Sequence, residues 1–151
     1  SLSFDEFRIS RRPDCAVCGE QPSILAPADP PGFCSVEEQQ RITRLGAAEL
    51  ARRLRGDAPP ELVDVRDPEE FAVGHLARAV NIPLPLIEQG ALFEQQGLPL
   101  SREAPTVFIC RSGARSLKAC ALARRAGMAQ PLQLEGGLLA WREAVDPGFA
   151  L

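Results

Sequence analysis

Tyrosine is missing from this chain of 151 residues; tryptophan, methionine and histidine occur once each, and lysine only as Lys118. Aromatic residues make up 5% of the composition, too few for a platform on which nucleic-acid bases stack. Positive charge is not in excess: the formal net charge is −3, which argues against general binding to nucleic-acid phosphates. No apolar run approaches the ~18–20 residues that a helix needs to cross a membrane. The opening Ser1-Leu2-Ser3-Phe4-Asp5-Glu6 lacks the basic start and apolar core of a secretory signal. The five cysteines are an odd number. Without such a signal they predict a reducing, cytoplasmic setting in which thiols serve metals or catalysis, not a disulfide framework.

What remains is a chain of about one domain, long enough for one sizeable core. Its first 40 residues read differently from the rest. Pro13, Pro22, Pro27, Pro30 and Pro31, with Gly19 and Gly32, give an arm with the composition of a linker. The one periodic hint there is Phe7 and Ile9 alternating about Arg8, as in a short strand. Residues 1–40 are therefore expected to form an arm and residues 41–151 the domain.

From Arg41 on, apolar spacing becomes regular. The pattern predicts a helix over 46–55, with Ala47, Leu50, Ala51 and Leu54 on its inner face. A buried strand over 62–65 follows. Asp67-Pro68-Glu69-Glu70 then starts a helix, with an acceptor at the cap, proline at the first position and acids in the first turn. A strand over 79–82 and short helices within 84–104 come next. Thr106-Val107-Phe108-Ile109-Cys110 is the clearest buried strand, and a helix over 112–126 follows, with Ala114, Leu117, Cys120 and Ala121 on one face. A strand over 131–135 and a helix over 137–144 close the chain. Short strands alternating with helices predict an α/β fold: a mostly parallel sheet with helices on both faces.

Cys110 stands where the buried strand gives way to a helix, the end of a parallel sheet at which ligands bind. Gly113 allows a tight turn, so successive N–H groups can converge. The next helix aims its positive end at the same place, and Arg111 and Arg115 add cations. Such a loop suits an anionic sulfur nucleophile, a persulfide or a bound oxyanion. The candidate nucleophile is Cys110, and the candidate anion-binding residues are Arg111, Ser112, Gly113, Ala114 and Arg115. Other polar residues read as structural. His75 is a hydrogen-bonding residue at a helix end, Asp64 and Arg66 are an internal pair or a brace for the loop, Cys120 and Trp141 are core, and Gly136-Gly137 opens the last helix.

Three segments together resemble a known family. Asp64 to Phe71 with Gly74-His75-Leu76 and Ala79 to Pro83 look like the first signature of rhodanese-like domains. Cys110 to Arg115 looks like their active-site loop, and Leu134-Glu135-Gly136-Gly137 with Trp141 like their closing motif. The resemblance implies a sulfurtransferase without a cofactor, in which Cys110 takes a sulfane sulfur as a persulfide from a small anionic donor such as thiosulfate. It then yields that sulfur to a nucleophile. Two other readings are a cysteine-dependent phosphatase of the same fold and a non-catalytic docking module. The phosphatases place five residues between cysteine and arginine, whereas four separate Cys110 from Arg115 here.

In the arm, Cys15-Ala16-Val17-Cys18-Gly19 has the spacing of half a tetrahedral zinc site. A redox dithiol would need a strand–helix junction, which a proline-flanked coil does not offer. The stretch from Phe7 through Gly19, with Phe33-Cys34 after it, resembles the C-terminal end of ubiquitin-activating-type adenylyltransferases for molybdopterin and thiamine sulfur carriers. That resemblance implies an excised part of a longer enzyme, in which an upstream Cys-x-x-Cys completes a structural zinc site with Cys15 and Cys18. It also implies a ubiquitin-like sulfur-carrier protein as partner, sulfurated to a thiocarboxylate. No Gly-x-Gly-x-x-Gly or adenylation core is present in these residues.

Overall fold

The computed structural model describes residues 10–26, 40–93 and 100–151. The chain separates into two compact units, Ser1–Pro31 and Gly32–Leu151, and each is considered by itself. The division expected at residue 40 differs from this one in the assignment of residues 32–40, of which only Gln40 is described. The expected strand about Phe7 and Ile9 lies outside the described residues, as does Cys34.

Among the described residues the second unit has five strands: β1 (Thr43–Leu45), β2 (Glu61–Asp64), β3 (Val80–Asn81), β4 (Thr106–Ile109) and β5 (Pro131–Leu134). Their order in the sheet is β1-β5-β4-β2-β3, and every pairing is parallel. The helices are α1 (Ala47–Leu54), α2 (Pro68–Val73), α3 (Leu84–Glu88), α4 (Ala114–Arg125) and α5 (Gly137–Ala144), with a 3-10 turn at Ala91–Phe93. This is the parallel α/β sheet that the alternation of elements predicts.

Strand β4 lies at the centre because all four of its residues can be buried. Its side chains alternate between the faces. Phe108 joins Val63, Ile82, Ile87, Ala119, Cys120 and Ala123 on the side covered by α3 and α4. Val107 and Ile109 join Leu50, Leu62, Leu132, Leu134, Leu138 and Trp141 on the side covered by α1 and α5. A strand with both faces covered needs an unbroken apolar run, which is why this segment is so legible.

Three details depart from the periodicity. Strand β1 has no counterpart among the predicted elements. It is an edge strand of three residues carrying Arg44, and only Leu45 of the three is buried. Helix α4 begins at Ala114, not at residue 112, because Gly113 sits in the left-handed region at φ +100° and belongs to the loop. Its buried side is Ser116, Ala119, Cys120, Ala121 and Ala123, while Ala114 is exposed. The helix presses its smallest side chains onto the sheet, so the inner stripe is rotated from the one that leucine positions suggest. Helix α2 starts as its residues predict. Asp67 is the cap, Pro68 the first residue, and a Glu70 carboxylate oxygen accepts the Asp67 N–H at 3.3 Å. No helix among the described residues is long and apolar enough to cross a membrane.

Candidate active site

Strand β4 delivers Cys110 to the carboxyl end of the sheet, where it is 1% exposed. The chain then loops around the sulfur. The Gly113 N–H donates to Cys110 Sγ at 3.1 Å and the Ser116 N–H at 3.4 Å. The Ser116 hydroxyl lies 3.5 Å from Sγ and donates to the Gly113 carbonyl at 3.0 Å. Two main-chain donors thus face one sulfur, from the loop and from the first turn of α4. Negative charge on that sulfur, or on a second sulfur bonded to it, meets donors already in place.

The loop is held from below. Leu138 N–H donates to the Cys110 carbonyl at 2.9 Å and Leu139 N–H to the Arg111 carbonyl at 3.0 Å. These are free donors of the first turn of α5. Gly136 and Gly137 lie at φ +69° and +61°. A β-carbon on Gly137 would overlap the Cys110 carbonyl oxygen and the Arg111 carbonyl. The glycine pair therefore opens the helix, as expected, and also lets it approach the Cys110 loop at main-chain distance.

The candidate anion-binding residues separate into two groups. Arg111 and Ser112 are exposed on the loop, Ala114 is exposed at the start of α4, and Gly113 is buried. Arg115 turns away to α2. Its guanidinium donates to both Glu70 carboxylate oxygens, at 2.6 and 2.8 Å, and passes 3.6 Å from Asp67. The hydrogen bonds from Arg115 pull the Glu70 carboxyl down to about 2. This fork-to-fork pair ties the first turn of α4 to the first turn of α2.

Farther out, Arg66 and Asp64 form a buried pair at 2.7 Å, each side chain 1% exposed. Arg66 also donates to the Gly74 carbonyl at 2.6 Å, and Asn81 bridges the Asp64 and Arg66 carbonyls at 3.0 and 2.8 Å. The pair was expected from sequence. His75 is a structural hydrogen-bonding residue, as its place at a helix end predicts: Nδ1 lies 2.9 Å from the Phe71 carbonyl and its ring stacks on Phe71. Trp141 and Cys120 are core, and burial pushes the Cys120 thiol far up. Sequence reasoning missed three contributors: Ser116, Glu70 as the partner of Arg115, and Gln133. The last donates its side-chain amide to the Gly113 carbonyl at 2.7 Å. Its only signal was a polar residue inside an otherwise apolar strand.

In the first unit, Cys15 and Cys18 sit in a tight turn. Gly19 N–H donates to the Cys15 carbonyl at 2.8 Å, and Arg11 donates to the Cys18 and Gly19 carbonyls. The amides of Cys18 and Val17, with a side-chain contact from Cys18, hold the Cys15 thiol below its ordinary value. Two adjacent sulfurs, one of them facing amides, fit half of a tetrahedral zinc site. No group of three metal-ligating side chains occurs among the described residues.

A parallel sheet whose central strand ends in a cysteine wrapped by its own loop defines a class, and residues 46–144 match the family model of the rhodanese-like domain; the chain belongs to that family. It is also similar to particular proteins. "Adenylyltransferase and sulfurtransferase MOCS3" of Drosophila yakuba is 34% identical over 160 residues, covering 98% of this chain and 35% of that protein. Its counterpart in Drosophila persimilis is 32% identical over 162 residues, covering 100% of this chain and 36% of that protein. The chain thus spans about a third of the length of the curated relatives it matches. Among solved structures, a rhodanese-like domain protein from Staphylococcus aureus superposes with a TM-score of 0.60 at 27% identity, covering 73% of this chain and 98% of that one. The human single-domain sulfurtransferase TSTD1 does so with a TM-score of 0.60 at 28% identity, covering 67% and 96%.

Proposed function

We propose that this protein is a sulfurtransferase with Cys110 as its nucleophile. The observation that carries the reading is the enclosure of Cys110 Sγ by the Gly113 and Ser116 N–H groups at 3.1 and 3.4 Å. The Cys110 thiolate attacks the sulfane sulfur of a donor such as thiosulfate. The bond between the two donor sulfurs breaks, and its electron pair leaves with sulfite. The outer sulfur of the resulting persulfide carries the negative charge, and the loop amides stabilise it. A nucleophilic acceptor then takes that outer sulfur, and Cys110 departs as thiolate. Exposed Arg111 meets the incoming anionic donor, while Arg115, held by Glu70, keeps the loop in shape. The same pairing speaks against a phosphatase, whose arginine must be free to grip phosphate with both nitrogens. The presence of the cysteine speaks against a silent docking module.

The reading extends to the MOCS3 relatives. In it, the domain works in the cytoplasm within a longer protein and passes its sulfur to the activated C-terminus of a ubiquitin-like carrier, which becomes a thiocarboxylate. Cys15 and Cys18 would hold half of a structural zinc site there, and the rhodanese-like domain itself needs no cofactor. Incubation with thiosulfate tests the central step. Mass spectrometry should find one added sulfur atom on the Cys110 peptide, removed by cyanide as thiocyanate. Unmodified Cys110 after that treatment would overturn the assignment.

A further inference from the structure

Gln133 occupies a position that an apolar residue would fill more cheaply. It lies on β5 in register with Phe108 of β4 and is 5% exposed, with Leu132 and Leu134 on either side. Its Nε2 donates to the Gly113 carbonyl at 2.7 Å. Its Oε1 is buried with no hydrogen-bond partner among the described residues. Turning the amide over would not help, because it would set two carbonyl oxygens against each other. A buried carbonyl without a donor is a net cost to folding. The structure therefore accepts that cost in order to keep one amide N–H on Gly113.

The Gly113 carbonyl already has two other donors, the Ser116 hydroxyl at 3.0 Å and the Leu117 N–H at 3.0 Å. It has room for two. Both neighbours matter to the sulfur: the N–H of Gly113 faces Sγ, and the Ser116 hydroxyl lies 3.5 Å from it. With Gln133 in place, Gly113 keeps its orientation when that hydroxyl turns from the carbonyl to an anionic sulfur.

We infer that Gln133 is a positioning residue for sulfur transfer, anchoring through its carbonyl the Gly113 whose N–H faces the sulfur, and releasing the Ser116 hydroxyl to that sulfur. The inference rests on the sulfurtransferase reading above. Gln133 acts on the loop around the sulfur, beginning with the free thiolate, and touches no donor, so it bears on turnover and not on donor affinity.

Two variants of the full chain test it. Gln133→Met keeps length and burial but has no donor. Its melting temperature should equal or exceed that of the wild type, while kcat for thiosulfate and cyanide falls roughly tenfold with KM unchanged. Gln133→Glu can donate only as the neutral acid. Its kcat should approach the wild-type value at low pH and fall as the introduced group ionises, with wild-type kcat measured at each pH as the reference. An unchanged kcat in Gln133→Met overturns the inference. So does a fall in melting temperature and kcat together with no added pH dependence in Gln133→Glu, which assigns Gln133 to packing alone. A wild type that forms no persulfide would instead overturn the functional reading. The rate at which iodoacetamide alkylates Cys110 then still compares the two loops, and equal rates would count against Gln133.

Discussion

Two stretches of this chain turn backbone amides toward a cysteine sulfur, Cys110 in the second unit and Cys15 in the first. Around Cys110 the amides come from a loop clamped between a central strand and two helices, and the residue is 1% exposed. Around Cys15 they come from a turn in a coil, and its neighbour Cys18 is exposed. The first arrangement surrounds one sulfur and offers it no second thiolate in the loop, so it suits a reaction at that sulfur. The second presents two sulfurs side by side and open, which suits a shared metal ion. Cys120 completes the contrast: it is buried, sits on an apolar helix face, and its thiol is pushed up by burial, so it suits packing. Cys110 and Cys120 are both buried, so what sets them apart is what faces each sulfur, not how deep it lies.

The sharpest way to break that comparison is to remove each sulfur in turn. Cys110→Ser should lower thiosulfate turnover at least roughly a thousandfold. Cys120→Ser and Cys18→Ser should leave it largely intact in steady-state assays. Equal losses would mean that the loop confers nothing special.

The frame around Cys110 should also be far more sensitive than the coil around Cys15. Arg66→Leu leaves Asp64 charged and buried without its partner, and leaves the Gly74 carbonyl without its donor. The expected destabilisation is about 3–5 kcal/mol by urea unfolding. A loss below about 1 kcal/mol would show that the pair is not part of the frame.

Next in size is the difference between the two arginines. Arg111→Ala should raise KM for thiosulfate about tenfold with kcat little changed. Arg115→Ala should lower kcat, because it frees α4 from Glu70 and disturbs the loop. The reverse pattern would make Arg115 the donor-binding residue.

The smallest effect is the pH response of that brace. Arg115 draws Glu70 from an ordinary value of 4.5 to about 2. A carboxyl lowered on folding adds stability above its unfolded pKa and loses it as pH falls through the folded one. Melting temperatures of wild type and Glu70→Gln should therefore differ by a constant amount above about pH 5 and converge as pH falls toward 2. A difference that stays constant down to pH 2 would mean that Glu70 has no coupling to Arg115 in solution.

Local pattern carried most of the architecture. The apolar run at 106–109, the Asp67-Pro68 start of α2 and the glycine pair at the start of α5 each satisfy a short-range demand, so they are readable from neighbours in the chain. The same holds for the place of Cys110 after the central strand and before a helix, which is itself a local pattern. Strand β1 was not readable, because its three residues become a strand only through pairing with β5.

What the amino-acid sequence determined by itself is the alternation of strands and helices, the position of Cys110 between them and the backbone freedom of the loop that encloses it. What only the tertiary structure decided is how that loop is held. Arg115 meets Glu70 across 45 positions, and Gln133 reaches Gly113 across 20. The first turn of α5 donates to the Cys110 and Arg111 carbonyls. No periodicity announces such contacts, because each depends on two segments that meet only when the parallel sheet has set their strands side by side.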